Sequence, residues 1–471
     1  MFFRMTKNSS ECEQCKEHEL RIESLESELS ELKAYTEKLA LALEKSRRGG
    51  KRQAAPFRKD KKVELTEPRK PGRKSGKDHG DHARRSIPES IDERYEVPLP
   101  KQCGCCGSNK LTRFANLRQQ FQTDVEVTVV TREFNIEAGK CDNCGSAVVG
   151  RHALQTSNAT GAAGSQFGPW SHAAFALLNK SYGLSYGKIE RLFSEIFGVE
   201  TTRGSISRSV LRSAKRCQHA AVEIQDQVRG SPRVTPDETG WRVAGGHAWL
   251  HAFATEDAVW YEVDLRRNAS VIFRLLGENW DGFLIHDGWK PYDSMRQATH
   301  QQCTAHLLRR CNELLETAVG GAARFPLSVK KLLKRGLAAR DRNLAGRTSN
   351  STLKRIAGQL KSQMESLVYP ERSHVDNNRF AWFLHNHLND LFTYLKHPGL
   401  EATNWRGEHA IRPAVINRKV WGGNRTWNGA KAQGVLTSVI QTCRLKKIKP
   451  MHKLAQLLTL KADQRQFATV N

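Results

Sequence analysis

The order of segments between residues 233 and 306 constrains this chain more than any other feature. RVTPDETGWRV, HAWLHAFATED and AVWYEVDLR are rich in Val, Trp, Phe and Tyr, and they read as three successive strands. NASVIFRLLG then has helical character, GFLIHDGWKPY opens as an apolar strand, a further helix follows, and HQQCTAH is strand-like again. Three strands, a helix, a strand, a helix and a last strand predict an α/β fold with a mixed sheet and helices on its faces.

The remainder does not fit into that one domain. A chain of 471 residues carries a prior of about three domains, so a multidomain α/β protein is expected. Lys and Arg number 75 against 49 Asp and Glu, a net charge of +26. Such a surplus favours a polyanionic partner, most simply nucleic acid. No window approaches the ~18 consecutive apolar residues of a membrane span, and MFFRMTKNSSEC lacks the apolar stretch of a secretory signal. A membrane partner is therefore not expected. With 11 cysteines in such a chain, clustered thiols point to metal ligation rather than to a disulfide framework.

Ile22, Leu25, Leu29, Leu32, Thr36, Leu39 and Leu43 step by three and four in turn, the a/d seam of a coiled coil. The region 1–45 is expected to self-associate; an amphipathic helix packed on its own domain is the competing reading. Cys12 and Cys15 form a CxxC pair with no second pair nearby, which leaves metal binding there open. Residues 46–95 form a basic linker with too few apolar residues to fold alone, and its Lys and Arg suit DNA phosphates. In 96–150, Cys103, Cys106, Cys141 and Cys144 form two CxxC pairs, each followed by a glycine, Gly107 or Gly145. Two such turns complete tetrahedral sulfur ligation, so a structural Zn²⁺ in a zinc ribbon is expected. FQTDVEVTVVTREFNIEA between the pairs alternates with the period of strands.

Residues 151–228 read as helices. LSYGKIERLFSEIFG followed by VETTRGSISRSVLRSAKR suggests helix, glycine turn, helix, with Thr201 and Thr202 as capping candidates. The second helix presents Arg203, Arg208 and Arg212, a donor-rich face suited to a DNA groove. An ordinary helical hairpin is the alternative.

Asp237 follows the apolar run of the first core strand and Asp287 ends the fourth. If those strands are neighbours, both carboxylates reach one site, and a pair of divalent cations would relieve their repulsion and act on phosphate chemistry. NWRGEHAIRPAVINRK supplies a helical carboxylate, Glu408, with Arg412 one turn on. A surface i,i+4 pair of the two is the plainer reading.

Taken together, PDETGW at 236–241, HDGWKPY at 286–292, and Asn404, Glu408, Arg412 and Pro413 followed by Arg418, Lys419 and Gly422 resemble the three signature blocks of DDE transposases. The nearest group is the insertion-sequence family 66 transposases. The heptad helix, the KPGRKSG linker, the zinc ribbon and the helical segment come in that family's order. The resemblance implies a ribonuclease H-like catalytic core at 229–307 and 401–445, and two Mg²⁺ or Mn²⁺ ions held by Asp237, Asp287 and Glu408. It implies an enzyme that cleaves DNA at element ends and transfers the 3′-OH into target DNA. Arg412, Arg418 and Lys419 would contact that DNA. Thr403 and His409 depart from the family's usual Asp and Arg, and neither change removes a carboxylate. The basic amphipathic helices of 308–400 read as an insertion, preceded by Cys303 and His306, for which a structural role is favoured over zinc. Residues 446–471 read as a C-terminal tail. A cytoplasmic, nucleoid-associated bacterial protein is expected, homo-oligomeric through its heptad helix and open to accessory proteins. A non-catalytic DNA-binding regulator and a nuclease without strand transfer are the alternatives.

Overall fold

The computed structural model describes residues 87–114, 119–155, 158–160, 166–318, 320–369, 371–459 and 467, together with 21, 22, 24–26, 28, 29 and 36. Leu32, Leu39 and Leu43 of the heptad seam, the Cys12/Cys15 pair and residues 46–86 of the basic linker lie outside these residues. The chain divides into two units, Met1–Glu126 and Val127–Asn471.

In the first unit Cys103 and Cys106 form a tight knuckle. Cys103 N–H donates to Ser108 O (2.9 Å) and Gly107 N–H to Cys103 O (2.9 Å). Gly107 takes φ 71°, the left-handed conformation that the turn needs and glycine supplies. The second unit opens with the same device: Gly145 at φ 70° closes a knuckle on Cys141. Flanking it are β1 (Ala138–Lys140) and β2 (Ala147–Val149), paired antiparallel. The strand expected across 121–137 is absent. Its valines alternate correctly, but Val125, Val127, Val129 and Val130 are exposed, and a strand without a hydrogen-bonded neighbour has nothing to hold it extended.

Four helices follow: α1 (Pro169–Lys180), α2 (Tyr186–Phe197), α3 (Arg203–Arg216) and α4 (Gln218–Arg229). Gly198 at φ 62° ends α2, and Thr202 caps α3 by accepting from Ser205 N–H, as the sequence predicts. The central sheet then forms from β3 (Arg233–Val243), β4 (Gly246–Ala254) and β5 (Val259–Asp264). It is completed, after α5 (Ala269–Leu276), by β6 (Phe283–His286) and β7 (Thr299–Gln302). The strand order is β5-β4-β3-β6-β7, antiparallel on the β5 side and parallel on the β7 side. This is the mixed sheet that the segment order predicts.

Beyond β7 come α6 (Thr304–Thr317), α7 (Arg324–Leu344), α8 (Asn350–Val368), α9 (Val375–Asn386) and the short α10 (Thr393–Lys396). They pack around a core that holds Leu333, Leu360, Phe380 and Leu391 together with Ile285 of β6. The chain returns to the sheet in α11 (Trp405–Trp421), α12 (Trp427–Leu445) and α13 (Pro450–Thr459).

Side chains alternate across the sheet with the strand period of two. Val234, Phe253 and Trp260 face a core shared with α1–α4, α12 and α13. Trp241, Ala252 and Tyr261 face Ala410, Ile411 and Ala414 of α11. Within the expected C-terminal tail, residues 450–459 are packed rather than free, since α13 buries Leu454, Leu457 and Leu458 in the main core. The exposed edge of β5 is covered by hydroxyls of α12. Val259 N–H donates to Thr442 Oγ1 (3.1 Å) and Tyr261 N–H to Ser438 Oγ (2.9 Å), which blunts an edge open to pairing with other chains. No helix among the described residues is long and apolar enough to cross a membrane.

Candidate active site

Strand register brings the first two carboxylates level. β3 and β6 run parallel, with Val234 opposite Leu284 as the last paired position. Three residues further along each strand stand Asp237 and Asp287. The ladder has ended there, so the strands are free to part at their carboxyl ends, where open α/β sheets place their sites. The turn after Asp287 depends on Gly288, at φ 90°. A Cβ there would lie 2.7 Å from the Phe383 ring and 3.0 Å from Gln302 Oε1. Trp289 N–H donates to Asp287 Oδ1 (3.0 Å) and Glu238 N–H to Asp237 Oδ1 (2.9 Å).

α11 delivers Glu408 in its first turn. The helix lies close against β3 because Gly407 has no side chain. A Cβ there would stand 3.0 Å from Pro236 O and 3.1 Å from the Cβ of Asp237. Asn404, at the start of the helix, pins it in place. Its Nδ2 donates to Pro236 O (3.1 Å), and its N–H donates to Cys303 Sγ (3.2 Å). Cys303 thus links the end of β7 to the Glu408 helix through its sulfur.

The site is uncompensated negative charge. Burial first, then Glu238, with Asp287 and Glu408 adding, pushes the Asp237 carboxyl up to about 7. Among the described residues no Lys or Arg pairs with Asp237, Asp287 or Glu408. Glu238 is different, because Arg267 donates to its Oε1 (2.8 Å) and Tyr292 OH to its Oε2 (2.7 Å). Arg267 in turn lies over the rings of Trp249 (4.5 Å) and Trp289 (4.8 Å). Sequence reasoning missed Glu238; the only signal was its place beside Asp237 in PDETGW.

Three acidic side chains, all oxygen donors and none neutralised by a basic residue, match the chemistry of hard divalent cations. Among the described residues, no group of three or more His, Cys, Asp or Glu side chains is gathered tightly enough to hold an ion.

Two histidines flank the carboxylates. His306 Nδ1 lies 3.6 Å from Glu408 Oε1. His286 is buried and neutral, as burial drives its pKa well below the usual range. Its Nδ1 accepts from Gly288 N–H (3.2 Å), so its Nε2 carries the proton and donates to His300 Nδ1 (2.9 Å); His300 Nε2 donates to Met295 O (2.9 Å). His286 is thus a satisfied histidine at the end of β6.

The basic residues singled out from the sequence separate. Arg203 is exposed and pairs with Glu190 (3.1 Å), while Arg208 and Arg212 are exposed on α3. Arg412 and Lys419 are exposed on α11. Arg418 instead turns inward, donating to Thr239 Oγ1 (3.0 Å) and to Gly240 O, so it fastens α11 to β3. Trp421 packs edge-on against Trp241, ring centroids 5.8 Å apart, whereas Trp427 is exposed. Of the cysteines, Cys103 and Cys106 belong to the first unit, Cys141 and Cys144 to the second.

Comparison with known proteins places this geometry in context. The family described as "Transposase IS66 family" matches residues 164–432, which span β3, β6 and α11 with all three carboxylates. An uncharacterised protein of Sinorhizobium fredii, y4qI, is 25% identical over 299 residues, 56% of this chain. The chain covers 54% of that protein, about half its length.

Proposed function

The chain belongs to the IS66 transposase family, and from that premise we propose that it cleaves DNA at the ends of its element and joins the freed 3′-OH to target DNA. One observation carries this reading. Asp237, Asp287 and Glu408, from two parallel strands and one helix, share an electrostatic site, and among the described residues no Lys or Arg pairs with any of them. The arrangement fits a ribonuclease H-like core.

Asp237, Asp287 and Glu408 would hold two Mg²⁺ or Mn²⁺ ions. When bound, such ions activate an attacking oxygen and stabilise the leaving oxygen at phosphorus. The protein's own part is positional. Gly407 and Asn404 set the depth of Glu408 against β3, Gly288 sets the turn that carries Asp287, and the Glu238–Arg267–Tyr292 cluster stiffens the wall beside Asp237. Arg208 and Arg212 on α3, and Arg412 and Lys419 on α11, are the cations offered to DNA phosphates. Cys103, Cys106, Cys141 and Cys144 would take one structural Zn²⁺. Joining two ends needs at least two protomers, for which the 22–43 heptad seam is the simplest pairing device in the sequence.

The test is incubation of the protein with its own element's ends, a target plasmid and Mg²⁺, followed by sequencing of junctions. Element–target junctions are expected. Nicked ends without junctions would make it a nuclease, and bound but uncut ends would make it a regulator.

A further inference from the structure

The outer face of α11 carries a second feature beside Glu408. Trp405, His409, Arg412 and Ile416 follow one another at helical spacing, and all four are exposed. Across from them stand Tyr261 of β5 and Gln441 and Arg444 of α12. The two walls bound a cavity of about 400 Å³, within the ~300–1,000 Å³ typical of small-molecule sites.

Its chemistry is specific. No carboxylate lines it, whereas Arg406, Arg412 and Arg444 do. Arg406 is already held by Glu401 (2.8 Å) and Arg444 reaches Ser181 Oγ (2.5 Å). Arg412 makes no ion pair or hydrogen bond among the described residues. Gln441 Nε2 is buried with no hydrogen-bond partner, a donor left waiting for an acceptor. Aromatic surface, guanidinium and an unmatched amide donor together suit a nucleotide: the ring stacks, the phosphate meets Arg, and the base edge accepts from the amide.

We propose that this cavity holds one unstacked nucleotide of single-stranded DNA, with its base against Trp405 and its phosphate at Arg412. The proposal rests on the DNA-handling function above. A paired duplex keeps its bases stacked, so the cavity distinguishes a frayed or single-stranded segment from intact duplex close to Glu408.

The test uses the full chain and a short single-stranded oligonucleotide containing one 2-aminopurine, whose fluorescence falls when it stacks. The wild-type protein quenches the probe. Trp405→Ala loses the quenching and weakens single-strand binding about ten-fold or more, with duplex affinity unchanged, and Trp405→Phe restores most of both. Gln441→Leu, which leaves the helix surface intact, weakens single-strand binding as well. Absence of quenching by the wild type, or equal quenching and affinity in Trp405→Ala, overturns the proposal. Trp405-dependent quenching in a protein that joins no ends supports the cavity and defeats the transposase reading. Joining with affinity indifferent to Trp405 does the reverse.

Discussion

His306 Nδ1 stands 3.6 Å from Glu408 Oε1, and that buried nitrogen has no hydrogen-bond partner. The gap is just beyond hydrogen-bonding range, so a small rotation of Glu408 closes it. The same corner grips the approach to α11 at two further points, Cys303 Sγ accepting from Asn404 N–H (3.2 Å) and Thr304 N–H donating to Ala402 O (2.9 Å). His306 is thereby fixed against the one carboxylate that arrives on a helix rather than from the sheet.

Removing that imidazole should loosen Glu408. His306→Ala is expected to raise the Mg²⁺ concentration needed for joining and to cut the rate about 10- to 100-fold, the range for residues that orient metal ligands. DNA binding should be unchanged. His306→Asn keeps a donor near the same place and should recover part of the loss. A metal titration identical to wild type would show that His306 only packs.

Gly407→Ala tests the close approach of α11 to β3. The added Cβ would stand 2.4 Å from Asn404 Oδ1 and 3.0 Å from Pro236 O, and the backbone atom cannot rotate away. A loss of about 1–3 kcal/mol in stability is expected, read as a lower urea midpoint, with loss of joining. Wild-type stability and activity would mean that the helix can shift without consequence.

These two features mark where sequence reading stops. Asp237 and Asp287 were legible because a strand's period and its end are local signals. Their levelness follows from the β3–β6 register, which strand order alone does not give. Glu408 needed the family resemblance, since one carboxylate on a helix is unremarkable. The Asn404–Pro236 and Arg418–Gly240 contacts link residues well over a hundred positions apart. No local pattern announces them, and Arg418 therefore read as a DNA contact when its Nη1 donates to Thr239 and Gly240 of β3. The alternating valines near 125–130 misled in the opposite direction, because period reports a possible strand and not the presence of a partner. The Trp405–Gln441 cavity exists only once α11 and α12 are placed side by side.

Asp237 predicts a pH dependence with a definite sign. Its carboxyl moves from an ordinary 3.8 to about 7 in the fold, so folding favours the protonated form. That contribution is complete below the unfolded value and is lost as pH rises through about 7. Without added divalent cation, stability should therefore fall across this window, by on the order of 1–4 kcal/mol. Asp237→Asn, neutral throughout, should abolish the fall. Mg²⁺ requires the carboxylate, so its stabilising effect should grow with pH over the same window. Thermal melts with and without Mg²⁺ check both signs, and a melt indifferent to pH in this window would contradict them.

The cysteine knuckles predict metal content. A hydrogen bond with the Ser146 side chain comes first among the effects that bring the Cys144 thiol down to about 7, and the backbone groups of Cys106 and Cys105 lower Cys103. Both are thus poised to become thiolates, the form that binds zinc. One Zn²⁺ per chain is expected by metal analysis of the purified protein, and Cys103→Ser with Cys106→Ser should remove it. A zinc-free wild type, or zinc retained in the double variant, would reject the ribbon.

The central claim is that Asp237, Asp287 and Glu408 act as one metal-binding unit on DNA. Its most direct test is a single assay that follows end binding and end joining together for Asp237→Ala, Asp287→Ala and Glu408→Ala in Mg²⁺. Each variant should bind ends as the wild type does and yield no junctions, because each loses a metal ligand and no phosphate contact. Junctions formed at wild-type frequency by any one of the three would contradict the assignment.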